Sequence, residues 1–202
     1  MDEPLSGLDD RMRHEIMPWL ERLHRETQAP IVYVSHAFDE VVRLADHLVM
    51  LEAGAVTASG PLVETLAALD PPLGLGEDAG VVLEAVIGER DAPWHLARVD
   101  FAGGHLWLPD QGRAVGDAVR ARILARDVSL ALAPPAETSI LNVLGGIVET
   151  VVPDSHPGLE LARVRVGASC LLARVSRRSA AILALAPGKP VWAQVKAAAL
   201  VC

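Results

Sequence analysis

A tetrapeptide recurs in this chain. Leu96-Ala-Arg-Val99 returns as Leu161-Ala-Arg-Val164, each followed by a glycine-containing turn and another run of β-forming residues. Further on, Gly116-Asp-Ala-Val-Arg-Ala-Arg-Ile123 parallels Gly188-Lys-Pro-Val-Trp-Ala-Gln-Val195, so the offset grows from 65 to 72 residues. The second stretch carries the extra chain, including a helix expected at Ser179–Leu185. Short β-type runs surround both matches: Val81–Ile87, His95–Phe101, His105–Leu108, Ala118–Ala125 and Val128–Leu132, then Val143–Val151, Leu159–Val166, Ser169–Val175 and Val191–Val201. Strands at this spacing, punctuated by Gly, Pro and Asp, predict a small all-β barrel or sandwich. Two matches in order point to a degenerate duplication, with halves at about 79–133 and 137–202. The alternative is chance reuse of a tetrad common in β-proteins.

The preceding residues have another texture. Asp9 and Asp10 suit a helix N-cap, and Met12, Ile16, Leu20 and Leu23 follow at helical spacing, with Pro18 placed to kink the helix. Ile31–Ser35, opened by Pro30, predicts a buried strand. A second helix is expected over Ala37–Ala45, a strand at His47–Leu51, a turn at Gly54, and a helix from Pro61 to about Leu69. Helix alternating with strand predicts an α/β segment with a largely parallel sheet.

Charge marks the boundary. Residues 1–70 hold 13 acids and 5 bases, whereas residues 71–202 hold 13 of each. The stretch Asp70-Pro-Pro-Leu-Gly-Leu-Gly-Glu-Asp78 therefore reads as a linker between an α/β segment (1–69) and a β domain (79–202). A net charge of -8 and 3% aromatics argue against nucleic-acid binding through phosphate contacts or base stacking. No apolar run approaches the ~20 residues of a membrane span. The acidic Met-Asp-Glu-Pro opening lacks the positive charge of a signal peptide, and Cys170 with Cys202 makes no disulfide framework. A soluble cytoplasmic chain is expected.

Chemistry concentrates in the acidic segment. Asp2-Glu3 precedes Ser6-Gly7-Leu8-Asp9, and His36 leaves the strand expected at Ile31–Ser35. Paired carboxylates suit Mg-assisted phosphoryl transfer, one in the metal sphere and the next orienting or deprotonating water. Each feature alone fits an exposed acidic pair or a structural histidine. Together, Asp2-Glu-Pro-Leu-Ser-Gly-Leu-Asp9, a helix, and Val34-Ser-His36 followed by Asp39-Glu40 resemble the C-terminal half of an ABC-transporter ATPase, a partial P-loop α/β fold. The resemblance implies that Asp2 is the Walker B aspartate near Mg-ATP and Glu3 the catalytic glutamate. It also implies that Ser6, Gly7 and Asp9 lie in the D-loop and that His36 is the switch histidine.

The same family cradles phosphates with G-x-x-x-x-G-K-[ST], which this sequence lacks; Gly188-Lys189 runs into Pro190. A Leu-Ser-Gly-Gly signature is absent as well. The chain opens inside the Walker B motif, and alone it is expected to bind ATP negligibly and not to hydrolyse it.

Ala125-Arg-Asp-Val-Ser-Leu130 and Ala133-Pro-Pro-Ala-Glu-Thr-Ser-Ile-Leu-Asn-Val143, with Trp107, Ala173-Arg-Val-Ser176 and Ala193-Gln-Val-Lys196, resemble the mop (TOBE-type) domain of molybdate-importer ATPases. That likeness implies an OB-like barrel that binds molybdate or tungstate, a homodimer, a transmembrane permease partner, and a place on the inner face of the bacterial cell membrane. A tetrahedral dianion calls for convergent hydroxyls, N–H groups and a cation. Thr138, Ser139 and Asn142 sit at the start of a strand. Lys196 lies on an otherwise apolar strand, where it either meets an anion or simply faces solvent. Ser176 and Ser179 border the added helix and would join the site across a dimer. Leu141 stands where many mop domains carry arginine. The first half offers Leu124 against Lys196, so no equivalent site is expected there. Two other functions remain open: a stand-alone oxyanion store or sensor, and a domain that only dimerises.

Overall fold

A computed structural model describes residues 1–27, 29–68 and 79–201, and the stretch read as a linker lies outside them. Two compact units emerge, Met1–Thr65 and Leu66–Val201, and each is treated by itself.

In the first unit, helix α1 spans Asp10–Glu26 and is capped as expected: Asp9 Oδ1 accepts from Met12 N at 2.8 Å. Its buried side differs from the one its apolar spacing suggests. Met12 and Leu23 are exposed, while Met17 and Glu21 are buried. Glu21 is tolerated there because Arg43 of helix α2 (Phe38–Leu44) donates Nε to its Oε1 at 2.6 Å. Strands β1 (His47–Glu52) and β2 (Ala55–Pro61) form an antiparallel hairpin around Ala53-Gly54, both at positive φ, and α3 (Leu62–Ala68) follows. The buried strand expected at Ile31–Ser35 is reduced to a single parallel bridge, Asp2 with Val34, and Ile31, Val32 and Val34 are exposed. Among the described residues the largely parallel sheet is therefore not seen; a lone bridge has too few neighbours to bury its side chains.

The second unit is two five-stranded antiparallel sheets. Its strands are β3 (Gly80–Asp91), β4 (Leu96–Phe101), β5 (Gly104–Pro109), β6 (Ala118–Leu124), β7 (Val128–Ala131), β8 (Asn142–Pro153), β9 (Leu159–Val166), β10 (Ser169–Ser176), β11 (Pro190–Val195) and β12 (Ala199–Val201), with helix α4 (Arg177–Ile182) between β10 and β11. One sheet runs β12-β6-β3-β4-β5 and the other β7-β11-β8-β9-β10. The orders correspond strand for strand, and the fifth strand of each comes from the other stretch of sequence. The run expected as one strand, Val191–Val201, is accordingly broken: β11 ends at Val195, and Lys196-Ala197-Ala198 cross to the other sheet.

Pairing agrees residue by residue. Ile87 faces Val99 in one sheet as Val148 faces Val164 in the other, and a register shift follows each. Next to that bulge, Gly116 N donates to Ile87 O and Ile87 N to Asp117 O; Gly188 N and Lys189 O do the same for Val148. Both glycines hold positive φ, +95° and +86°, which explains why the motif Gly-x-x-Val appears twice. Side chains from matching positions meet in one core: Ile87 and Val148, Val99 and Val164, Leu106 and Leu171, Ile123 and Val195, each at most 1% exposed. Burying each stabilises the fold by roughly 1.5–3 kcal/mol.

The β4–β5 and β9–β10 turns touch backbone to backbone. A Cβ on Gly103 would lie 2.2 Å from Val166 O. Gly103→Ala is expected to destabilise the protein by about 1–3 kcal/mol through overpacking. Gly112→Ala, with no atom within 4 Å of its Cβ, carries only the left-handed backbone penalty; urea unfolding ranks the two.

At the far end of β8, Asp154 and Arg174 form a partly buried pair at 2.6 Å. Burial alone would raise the Asp154 pKa, but hydrogen bonds from Ser155 and Arg174 outweigh it and hold the carboxyl below its ordinary value. A depressed folded pKa means the pair's contribution is complete above the unfolded value, about 4, and disappears as pH falls through the lower folded value. Asp154→Asn should flatten the acid limb of a stability–pH profile measured by thermal melting.

Candidate functional site

In the first unit the backbone brings the two halves of the expected phosphoryl-transfer site together. Val34 N donates to Met1 O and Glu3 N to Val34 O, at 2.9 and 2.8 Å. With residues 1–3 held beside Val34, His36 reaches Glu3, and its Nδ1 lies 2.8 Å from Glu3 Oε1. A carboxylate accepts and does not donate, so this contact favours the imidazole form that carries its proton on Nδ1. The histidine is 76% exposed on its side chain, open to an incoming group. Glu3 adopts φ +41° immediately before Pro4, an uncommon backbone state of the kind concentrated at functional sites.

The other acidic-segment candidates are placed as follows. Asp2 is exposed on the bridge to Val34. Ser6 Oγ donates to Glu3 O at 3.0 Å and closes the turn, which buried Leu5 anchors. Gly7 is exposed with open space around it. Asp9 is occupied as the α1 cap. Among the described residues no group of three His, Cys, Asp or Glu side chains could hold a metal unaided.

A buried carboxylate that the sequence reading quoted in a motif but gave no role is Glu40, on α2. Glu40 Oε2 accepts from Ser35 Oγ at 2.7 Å and Tyr33 Oη at 2.9 Å, and its Oε1 is 3.4 Å from Arg13 Nε. Burial, then the bond to Glu40, raise the Tyr33 pKa well above the usual phenol value. Only the chain reversal between residues 33 and 40 assembles these donors, and no spacing rule announces it.

In the second unit Thr138 and Ser139 are exposed just ahead of β8, and Thr138 Oγ1 accepts from Ile140 N at 3.1 Å. Asn142 is committed elsewhere. Its Oδ1 accepts from Trp107 N at 2.7 Å and its Nδ2 donates to Trp107 O at 3.0 Å, so the side chain pairs with β5 as a strand would. One donor of its amide and its oxygen are thereby engaged, and the residue is 8% exposed. Lys196 sits in the crossing rather than on a strand; it is exposed and its backbone N donates to Asp127 O at 2.8 Å. Because Val195 pairs with Asn142, Lys196 falls beside Leu141, which is also exposed, at the same end of the sheet as Ser139. Ser176 and Ser179 lie at the opposite end of β8, where Ser176 caps α4 by accepting from Ser179 N at 3.0 Å. Within one chain they do not join Lys196.

Residues 138–201 match the TOBE domain. Over 99% of its length the chain is 60% identical to the molybdenum import ATP-binding protein ModC of Methylococcus capsulatus, of which it covers 56%. The protein of the same name from Thiobacillus denitrificans is 58% identical over 100% of this chain and 56% of its own. This chain belongs to that family. It spans a little over half the length of these relatives and corresponds to their C-terminal part with the TOBE domain. The β unit of this ModC-family chain is thus TOBE-type. A crystal structure of the cytoplasmic molybdate-binding protein ModG with molybdate bound aligns at a TM-score of 0.49 and 23% identity, over 59% of this chain and 94% of that one. A likeness of that size carries no weight here. No described helix is long and apolar enough to cross a membrane.

Asn142→Ala strips partners from the half-buried N–H and C=O of Trp107. It should cost about 1–3 kcal/mol in chemical denaturation.

Proposed function

We propose that this chain is the C-terminal portion of an ATP-hydrolysing subunit that energises molybdate import, with its β unit as an oxyanion-sensing domain. The observation that carries the reading is 60% identity to one molybdenum import protein over 200 residues, a span that takes in both units. In this reading residues 1–69 are the partial P-loop α/β fold and residues 79–202 an OB-like barrel made of two duplicated halves that exchange their last strands. The matching registers of the two sheets support the duplication.

Mg-ATP would supply the transferable phosphoryl group and the metal that neutralises its charge. Asp2 fits one ligand position, since Mg²⁺ is commonly held by one or two carboxylates and the phosphates themselves. Glu3, steadied by His36 Nδ1, would orient or deprotonate the attacking water. His36 Nε2 would face the terminal phosphate, and Ser6, Gly7 and Asp9 would carry the D-loop. The phosphate-cradling loop has no counterpart in these 202 residues, so the chain by itself is proposed to be inactive. In the complete protein two such subunits would work as a homodimer on a transmembrane permease, at the cytoplasmic face of the membrane.

For the oxyanion, molybdate or tungstate, the proposed donors are Thr138, Ser139 and Lys196 at one end of the second sheet, with Ser176 and Ser179 entering from a partner subunit. A second reading, a domain that pairs subunits without binding ligand, is favoured by Leu141. It is 66% exposed where the related pattern has arginine.

Two measurements decide. Joined to the nucleotide-binding half that its relatives contain, Glu3→Gln or His36→Ala should lower ATP turnover by about 100-fold or more. Calorimetric titration of the chain with molybdate should give heat, weakened about tenfold (~1.4 kcal/mol) in Lys196→Ala. No heat in the parent chain would leave dimerisation as the role of the β unit.

A further inference from the structure

Glu40 touches neither Glu3 nor His36, yet its surroundings tie both to one point. It is 4% exposed. A carboxylate so deeply placed is tolerable only when charge-assisted hydrogen bonds replace its water. Ser35 Oγ, which donates to Glu40, also accepts from Ala37 N at 3.0 Å, so both neighbours of His36 are fastened. On the other side, Arg13 approaches Glu40 through Nε and donates Nη2 to Leu8 O at 3.3 Å, gripping the loop that follows Glu3. We propose that Glu40 is a positioning residue: by holding the Ser35–Ala37 turn and, through Arg13, the loop ending at Leu8, it sets the contact between Glu3 and His36. The inference rests on the reading of Glu3 and His36 as the hydrolytic pair.

The imidazole itself is largely exposed, whereas the turn that presents it is anchored to a buried charge. Loss of Glu40 would free that turn while leaving Glu3 and His36 chemically intact. A purely structural acid would affect the unit as a whole and not His36 in particular.

The readout is the tautomer of neutral His36, observed in the 202-residue chain by long-range proton–nitrogen NMR above about pH 8. The parent should show the Nδ1–H form, and Glu3→Ala should shift it to the Nε2–H form usual in water. Glu40→Ala and Ser35→Ala should produce the same shift, and Glu40→Gln, which keeps an oxygen for Ser35 and Tyr33, should retain the parent form. His24 and His47, bonded to Asp46 and Ser59, should stay unchanged in all of them. The proposal is overturned if the parent lacks the Nδ1–H form, or if His36 keeps it in Glu40→Ala and Ser35→Ala. Should Glu40→Ala disturb His24 and His47 too, Ser35→Ala alone decides by the same criterion. Failure of the hydrolytic reading is seen separately, as undiminished turnover of Glu3→Gln and His36→Ala in the longer protein.

Discussion

Each sheet of the β unit is completed by a strand from the other, β12 beside β6 and β7 beside β11. Everything else in that unit depends on this exchange. A four-stranded sheet from either stretch alone would expose the edge of β6 or β11, with its row of unpaired backbone groups. The exchanged strands fill those edges with only three or four residues each. They also oblige the chain to cross between sheets twice, at 125–127 and 196–198, and the crossings are joined by Lys196 N to Asp127 O. Of the proposed oxyanion donors, Lys196 lies in such a crossing, where the chain leaves its ladder.

Cross-sheet ties reinforce the exchange. Asn142 uses both ends of its carboxamide on Trp107, and Gly103 and Gly167 allow two turns to meet without side chains between them. These contacts tie the Asn142 end of β8 to β5 by hydrogen bonds as well as by packing. The first unit is organised on a different principle. Its described strands are short, and buried charge provides the organisation: Glu21 with Arg43, and Glu40 with Tyr33, Ser35 and Arg13. Such groups are demanding, since a buried carboxylate that loses one donor is strongly penalised. They are also directional, which suits a segment whose proposed work depends on where one imidazole points.

How much was legible follows from the range of the interactions. The strand runs were readable because alternation is local, and β9 begins and ends where its pattern does. The cap at Asp9, the turn at Ala53-Gly54 and the short α2 are local as well. The stripe Met12, Ile16, Leu20, Leu23 misled because helical spacing shows which residues share a face, not whether anything covers that face. Asn142 shows the same limit: an amide at a strand start gives no sign of its partner, 35 residues away in sequence.

Sequence by itself determined the family, the division into an acidic segment and a charge-balanced β unit, and the repeated Gly-x-x-Val and Leu-Ala-Arg-Val positions. All of these are carried by residue identity and short spacing. Only the tertiary structure decided that β7 and β12 change sheets, that Lys196 lies in a crossing, that Asn142 is a clamp, and that Glu40 gathers Tyr33, Ser35 and Arg13. The reason is physical. Backbone pairing and desolvated charge are satisfied by whichever group arrives in space, and a linear pattern does not record that arrival.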